Sequence, residues 1–157
     1  MAKPFLGIIS DTHGLLRPEA VKALDGAEWI LHAGDVCDPA ILDTLGRVAP
    51  VTAVRGNCDH GEWAYRLPMT ETHVWRDKVF YMIHDVGMLD LDPGQGSVDC
   101  VVFGHSHRPE VRREGSVTWL NPGSAGPPRF DLPITLARVT IAEDDSLAVE
   151  SVTLVAR

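Results

Sequence analysis

The chain has 157 residues, of which 45% are hydrophobic and 23% are charged, and its formal net charge is −8. This length fits one domain with a single sizeable core, which we expect over residues 1–157. The negative charge argues against a protein that coats nucleic acid by bulk electrostatics, but it allows a phosphate ester held locally by metal ions. We expect no membrane association, because no apolar stretch approaches the roughly 20 residues that a transmembrane helix needs.

Three cysteines, Cys37, Cys58 and Cys100, form no Cys-x-x-Cys pair. Their odd number and spacing disfavour a disulfide framework or a zinc ribbon. The amino terminus lacks the long apolar segment and the small-residue cleavage site of a signal peptide. We therefore expect a cytoplasmic protein in a reducing compartment.

The first half of the chain alternates short apolar runs with helix-like stretches. Strands are predicted at PFLGIIS (4–10), EWILHAG (28–34) and PVTAVRG (50–56). Helices are predicted at RPEAVKALDG (17–26) and DPAILDTLGRV (38–48), the second with Asp38 as N-cap and Pro39 at its first position. This alternation implies right-handed crossovers and a largely parallel sheet.

The second half is richer in β-structure. Two strands joined by a tight turn are predicted at 71–77 and 78–84, an apolar strand at 98–104, and hairpins at 110–121 and 134–155. Residues 85–97 hold three glycines, a proline and three aspartates, so we expect a loop or one short helical turn there. These strands predict an α/β fold in which two sheets pack face to face with helices outside.

Five of the apolar runs deliver polar side chains of metal-binding types at their carboxyl ends. In chain order these are Asp11 and His13, Asp35, Asn57, His84, and His105 with His107. In open α/β sheets this edge is where ligands bind. Seven side chains exceed the needs of one ion, whereas two ions that share Asp35 would use them all. Mixed carboxylate, imidazole and amide ligands suit Mn, Fe, Zn or Ni better than Mg or Ca.

The sequence motifs run from Asp11 to about Arg129 and are D-x-H, GD, GNCD, a lone histidine, GHSH and NPGS. The order of these motifs resembles that of the calcineurin-like metallophosphoesterases. They are most similar to the small YfcE-type branch of bacterial and archaeal phosphodiesterases. The resemblance implies a four-layer α-β-β-α sandwich of two mixed sheets, with a metal site at the carboxyl ends of the strands. It also implies hydrolysis of a small phosphate diester by a hydroxide that bridges two divalent ions.

Carried over residue by residue, the resemblance assigns one ion to Asp11, His13, Asp35 and His107. It assigns the second ion to Asp35, Asn57, His84 and His105. Asp35, Asn57 and His105 would act directly in catalysis. Mn is the expected metal, and Fe, Ni, Zn and Co are compatible with the same ligands.

The chain departs from many relatives at Cys58, which stands where they have a histidine after Gly-Asn. A thiol is a poorer general acid than imidazole near neutral pH, so we expect a preference for diesters with good leaving groups. Cys58, Asp59, Arg55 and Arg129 are the substrate-binding candidates. Alternatively, Cys58 is a packing residue, Asp59 orients Asn57 or its turn, and the loop NPGSAGPPR is a rigid support for the histidines.

The competing function is a catalytically weak metal-binding scaffold that acts through protein partners. All seven ligand positions hold competent residue types, which favours the enzyme. A metalloprotease or a deaminase is set aside, because neither His-Glu-x-x-His nor His-x-Glu with Pro-Cys-x-x-Cys occurs. Nucleic acid is expected only as a substrate, and the exposed β-rich half is compatible with a homodimer.

Overall fold

The computed structural model describes residues 3–155, which form two five-stranded sheets. The first sheet has the order β10-β9-β1-β2-β3. Its strands are β1 (Leu6–Ile9), β2 (Trp29–His32), β3 (Val51–Ala53), β9 (Ile134–Ile141) and β10 (Leu147–Val155). The pairs β1–β2 and β2–β3 are parallel, and the hairpin of β9 and β10 adds to β1 in the antiparallel sense. The parallel half follows from the two short helical crossovers.

The second sheet has the order β4-β5-β6-β8-β7 and is also mixed. Its strands are β4 (Thr70–Trp75), β5 (Lys78–Ile83), β6 (Cys100–Val102), β7 (Glu110–Glu114) and β8 (Val117–Asn121). The pairs β5–β6 and β6–β8 are parallel, whereas β4–β5 and β7–β8 are antiparallel hairpins. The carboxyl ends of β5 and β6 therefore lie at one edge.

The main core lies between the two sheets. The first sheet contributes apolar side chains from β1, β2 and β9, and the second contributes them from β5, β6 and β8; among them are Leu6, Ile8, Leu31, Val139, Phe80, Met82, Val102 and Leu120. These strands are buried on both faces and therefore appear in the sequence as continuous apolar runs.

The helices α1 (Pro18–Leu24) and α2 (Pro39–Gly46) pack on the outer face of the first sheet. As predicted, Asp38 caps α2, because its side chain accepts a hydrogen bond from the Ala40 amide at 2.9 Å. A one-turn helix α3 (Glu62–Tyr65), which the sequence analysis did not anticipate, follows Gly61. No helix in the described part of the chain has the length and apolarity to cross a membrane.

The outer face of the second sheet is covered by the segment after His84. It forms two 3-10 turns, Val86–Met88 and Pro93–Gln95, and the Asp85 and Asp92 side chains cap their amide groups. Val86, Leu89 and Val98 pack against Val101 and Phe103. The predicted fold class and the short helical turn are both confirmed, and the fourth layer consists of these turns instead of a long helix.

Candidate metal centre

The loops that follow β1, β2 and β3 are held together by backbone hydrogen bonds. The Asp11 amide donates to the Gly34 carbonyl at 3.0 Å, and the His13 amide donates to the Asp35 carbonyl at 2.9 Å. On the second sheet, the Gly104 amide donates to the His84 carbonyl at 3.0 Å. The polar strand ends predicted from the sequence are therefore brought to one edge of the sandwich.

The first ligand group comprises Asp11, His13, Asp35 and His107. Asp11 Oδ1 lies 3.4 Å from His107 Nε2 and 3.6 Å from His13 Nε2. His13 Nε2 lies 3.1 Å from His107 Nε2 and 3.4 Å from Asp35 Oδ2. Four side chains from three loops thus direct their donor atoms to one point.

The second ligand group comprises Asp35, Asn57, His84 and His105. His84 Nε2 lies 3.2 Å from Asp35 Oδ2, and His105 Nδ1 lies 3.2 Å from Asn57 Oδ1. The His84 and His105 rings meet edge to face, with centroids 5.3 Å apart. His107 lies with Asp11 and His13, whereas His105 lies beside Asn57 and the His84 ring, so the two histidines have different neighbours although one residue separates them in the sequence.

Asp35 joins the two groups through a single carboxylate oxygen. Its Oδ2 is the atom near both His13 and His84, while its Oδ1 accepts a hydrogen bond from the Cys58 amide at 2.8 Å. The Cys58 amide thereby fixes the rotation of the carboxylate. This geometry is compatible with one carboxylate oxygen shared by two cations.

The donor atoms fit divalent metal ions. With metal–ligand bonds of about 2.0–2.2 Å, neighbouring ligand atoms around one ion lie roughly 3.0–3.6 Å apart, which matches the spacing in the first group. Within residues 3–155, Asp11 Oδ1 and His84 Nε2 are buried and make no hydrogen bond, although Asp35 Oδ2 lies 3.2 Å from His84 Nε2. His84 Nδ1 donates to the Ala33 carbonyl at 2.8 Å, so the lone pair of Nε2 is left for a metal.

The electrostatics of the site favour cations. Burial alone would raise the pKa of Asp11, but the imidazoles of His107 and His13 outweigh it and lower that pKa below its usual range. Burial also opposes ionisation of Asp35, yet His84 and the Cys58 amide lower its pKa. Both carboxylates are therefore ionised at neutral pH, which is the state that binds a metal ion.

Asp59 supports the site from beneath. Its Oδ2 accepts hydrogen bonds from the Asp35 amide at 2.9 Å and the Gly56 amide at 2.8 Å, and its Oδ1 accepts from the Cys37 amide at 2.8 Å. The residue is buried, and both carboxylate oxygens are engaged with the backbone. This arrangement fits the alternative positioning role and does not fit the predicted contact with substrate.

The NPGS segment supports the histidine loop of the second sheet. Asn121 Nδ2 donates to the Gly104 carbonyl at 3.0 Å and to Ser106 Oγ at 3.1 Å. Ser124 Oγ donates to the Asp11 carbonyl at 3.0 Å, which ties the same segment to the first loop. These contacts correspond to the rigid-support alternative for NPGSAGPPR.

A buried network involving His32 and Thr12 lies below the first ligand group. His32 Nδ1 accepts from the Gly34 amide at 3.1 Å, and its Nε2 lies 3.1 Å from Thr12 Oγ1. Thr12 Oγ1 donates in turn to the Val36 carbonyl at 3.1 Å. Burial lowers the pKa of His32 to about 4, so the ring is neutral and fully hydrogen-bonded. This pairing joins residues 20 positions apart, and no sequence motif predicts it.

The backbone of the ligand loops is left-handed at the ligands themselves. Positive φ values occur at Asp11 (55°), His13 (45°), Asp35 (57°), Cys37 (69°), His105 (73°) and His107 (63°). For residues other than glycine this conformation costs roughly 1–2 kcal/mol each. Gly34 also has a positive φ, of 104°, whereas Gly56 is required because a Cβ there would overlap the Asp35 carboxylate.

The other predicted substrate-binding residues lie in different surroundings. Cys58 is exposed beside Asn57, and its sulfur groups with the donor atoms of His13 and Asp35. Arg55 lines a cleft next to the second ligand group. Arg129 is exposed and stacks on the Phe130 ring at 5.7 Å, outside that cleft.

Residues 5–144 match the family described as the calcineurin-like phosphoesterase superfamily domain. A probable metallophosphoesterase from Methanothermobacter thermautotrophicus is 37% identical over 139 residues, which cover 82% of this chain and 81% of that protein. The phosphodiesterase YfcE of Escherichia coli K12 is 30% identical over 166 residues, which cover 89% of this chain and 88% of YfcE.

Solved structures share the architecture. The crystal structure of Chaetomium thermophilum Vps29 superposes with a TM-score of 0.75 at 20% identity and covers 96% of both chains. At this identity the similarity shows the fold alone.

Proposed function

We propose that this chain hydrolyses phosphate diesters, and the premise is that it belongs to the calcineurin-like phosphoesterase superfamily. The observation that carries the proposal is the position of Asp35 Oδ2, within 3.4 Å of His13 Nε2 and 3.2 Å of His84 Nε2. One carboxylate oxygen between two sets of nitrogen and oxygen donors supports a site for two cations. YfcE, a phosphodiesterase, supports the diester as substrate class.

The first ion would be held by Asp11, His13, Asp35 and His107, and the second by Asp35, Asn57, His84 and His105. Two divalent ions, when bound, supply Lewis acidity that activates a water nucleophile and neutralises charge on phosphate oxygens. We propose Mn as the metal, and Fe, Ni, Zn and Co fit the same mixed donors.

The residues of the chain position the reaction. The buried carboxylates of Asp11 and Asp35 supply fixed negative charge, and the hydrogen bond from His84 Nδ1 to Ala33 keeps that ring oriented. Asn57 and His105 are exposed at the cleft, where they are accessible to a phosphate group. The thiol of Cys58 replaces an imidazole as the nearest proton donor, so diesters of acidic alcohols should react fastest.

The three cysteines are free thiols in the structure, which supports a reducing, cytoplasmic location as part of the proposal. The alternative function is the metal-binding scaffold. Vps29 has the same fold as this chain, and that similarity concerns the architecture alone. Homodimerisation stays a prediction.

The deciding experiment measures hydrolysis of bis-p-nitrophenyl phosphate by the Mn-loaded protein and by Asp35→Asn. We expect metal-dependent turnover that falls at least about 100-fold in the variant, because one substitution weakens both ions. Asp43→Asn, which removes the same charge at an exposed position of α2, is the matched control and should retain full activity.

Metal content is measured on the same samples by elemental analysis. If Asp35→Asn retains both its metal and its rate, the shared-carboxylate assignment is wrong. If the wild-type protein shows no turnover with Mn, Ni, Co or Zn, the scaffold becomes the better description.

A further inference from the structure

A cleft of about 430 Å³ adjoins the second ligand group. Its inner end is formed by Asn57, His84 and His105, and its sides come from β4, β5 and the 3-10 turn after His84. The cleft is therefore continuous with the place where the phosphate would sit. The metal-ligand assignment does not account for its remaining walls.

Those walls are largely apolar. Met69, Tyr81, Ile83 and Met88 line the cleft, and Met88 is 70% exposed, although it is a large hydrophobic residue. Methionine thioethers and a tyrosine ring contact flat aromatic groups favourably. Met69 is also more than half exposed, so two exposed methionines line one cleft and form an apolar surface that an apolar occupant would cover.

The charges of the cleft exclude a second phosphate. Asp85 and Asp90 line it, and Arg55 is the one Lys or Arg side chain among its described lining residues. The Arg55 guanidinium is already engaged, since its Nε contacts Met69 Sδ at 3.2 Å and its carbon lies 5.3 Å from the Tyr65 ring centroid. A polyphosphate or a continuing nucleic-acid strand would place anions against these two carboxylates.

The size of the cleft also selects among uncharged groups. A methyl or glycerol group would fill only a small part of the 430 Å³ cleft and would leave its apolar walls exposed to water. An alcohol of nucleoside size, which is a sugar that carries one aromatic ring system, matches the volume of the cleft, and its ring matches the apolar walls.

We propose that this cleft binds one ester arm of the diester, and that this arm is an uncharged, ring-bearing alcohol of nucleoside size. The inference rests on the proposed phosphodiesterase function and names the class of its substrate. Tyr81 and Met88 contact the ring, while Asn57 and His105 face the phosphate.

The experiment compares two diesters with the same leaving group on the Mn-loaded protein: thymidine p-nitrophenyl phosphate and methyl p-nitrophenyl phosphate. We expect kcat/KM to be at least about tenfold higher for the thymidine diester, because only that substrate covers the apolar walls. Met88→Ser should reduce this preference about fivefold or more. Val74→Ser, at an exposed position of β4 outside the cleft, is the matched control and should leave both rates unchanged.

A direct binding measurement separates this inference from the proposed function. Calorimetric titration of the Mn-loaded protein with thymidine monophosphate and with methyl phosphate should show about tenfold tighter binding of the nucleotide, and Met88→Ser should abolish most of that difference. If neither diester is hydrolysed but this binding difference is found, the phosphodiesterase proposal fails and the cleft assignment stands. Equal measurable rates for the two diesters, or equal affinities for the two monophosphates, would overturn the cleft assignment.

Discussion

The two ligand groups of the candidate centre differ in how far the fold encloses them. In the first group Asp11 is fully buried and His107 is 5% exposed, whereas in the second group Asn57 and His105 are exposed. Backbone hydrogen bonds join the loops after β1 and β2, which carry three residues of the first group. Both groups draw on both sheets, but only the second opens onto the cleft formed with β4 and β5. We therefore expect the enclosed group to hold its ion tightly and the open group to exchange its ligands with solvent.

The largest expected effect tests this difference directly. His107→Asn removes a buried imidazole from the enclosed group. We expect the variant to lose activity at least about 100-fold and to lose one tightly bound ion per chain. His105→Asn changes the open group, where solvent can replace the lost ligand, and we expect a loss of about tenfold. Elemental analysis and bis-p-nitrophenyl phosphate hydrolysis measure both. Equal losses in the two variants would contradict the distinction between the groups.

The next effect tests the connection between the groups. Asp59 accepts amide hydrogen bonds from Asp35, Gly56 and Cys37, so it holds the shared carboxylate relative to the Asn57 loop. Asp59→Asn places an NH₂ group against amide donors, and we expect about 3 kcal/mol lower stability and about tenfold weaker metal binding. Denaturant unfolding and metal titration measure these.

Asp38→Asn is the matched control for Asp59, because asparagine caps a helix about as well as aspartate does. It should leave both stability and metal affinity unchanged. Weakened metal binding in Asp38→Asn would mean that the effect at Asp59 is not specific to the centre.

The smallest effect concerns the support of the enclosed group by His32. The folded-state pKa of His32 is lowered by burial to about 4 from the ordinary 6.5, so its contribution to stability is present above pH 6.5 and is lost as the pH falls toward 4. Between pH 7 and 5 the wild-type protein should lose about 2 kcal/mol relative to His32→Gln, which has no proton to bind.

Unfolding curves of the metal-free proteins at the two pH values provide this comparison. The charged groups near His32 (Asp11, Asp35, His84 and His13) are present in both proteins, so their titration largely cancels in the difference. A difference that does not change with pH would show that His32 is not neutral in the folded state.

Much of the fold could be predicted because the strands of this protein are buried on both faces. Their continuous apolar runs end in polar residues, and parallel pairing brings those ends to one edge without further information. The cap at Asp38 and the turn-rich segment after His84 were predicted from local chemistry in the same way.

The rest depends on contacts between distant residues. Asp59 was predicted to contact substrate because it lies two residues after Asn57, yet its carboxylate accepts from two amides of the loop after β2 and one amide of its own loop. His32 and Thr12 pair only because β1 and β2 are neighbours. The left-handed conformation occurs mostly at the candidate ligands, and no local pattern predicts which of the Asp and His residues adopt it.

That left-handed backbone has an evolutionary consequence. Six residues that are not glycine hold this conformation in the loops of the centre, at roughly 1–2 kcal/mol each, so the empty fold carries several kcal/mol of local strain. Replacing Asp11 or His107 by glycine would relieve part of that strain while destroying the site. Selection for stability alone therefore erodes the metal centre and leaves the sandwich intact. Under selection for stability alone, a chain of this fold would drift toward glycine at these positions, so the Asp and His residues that stand there are what the proposed metal-dependent function predicts.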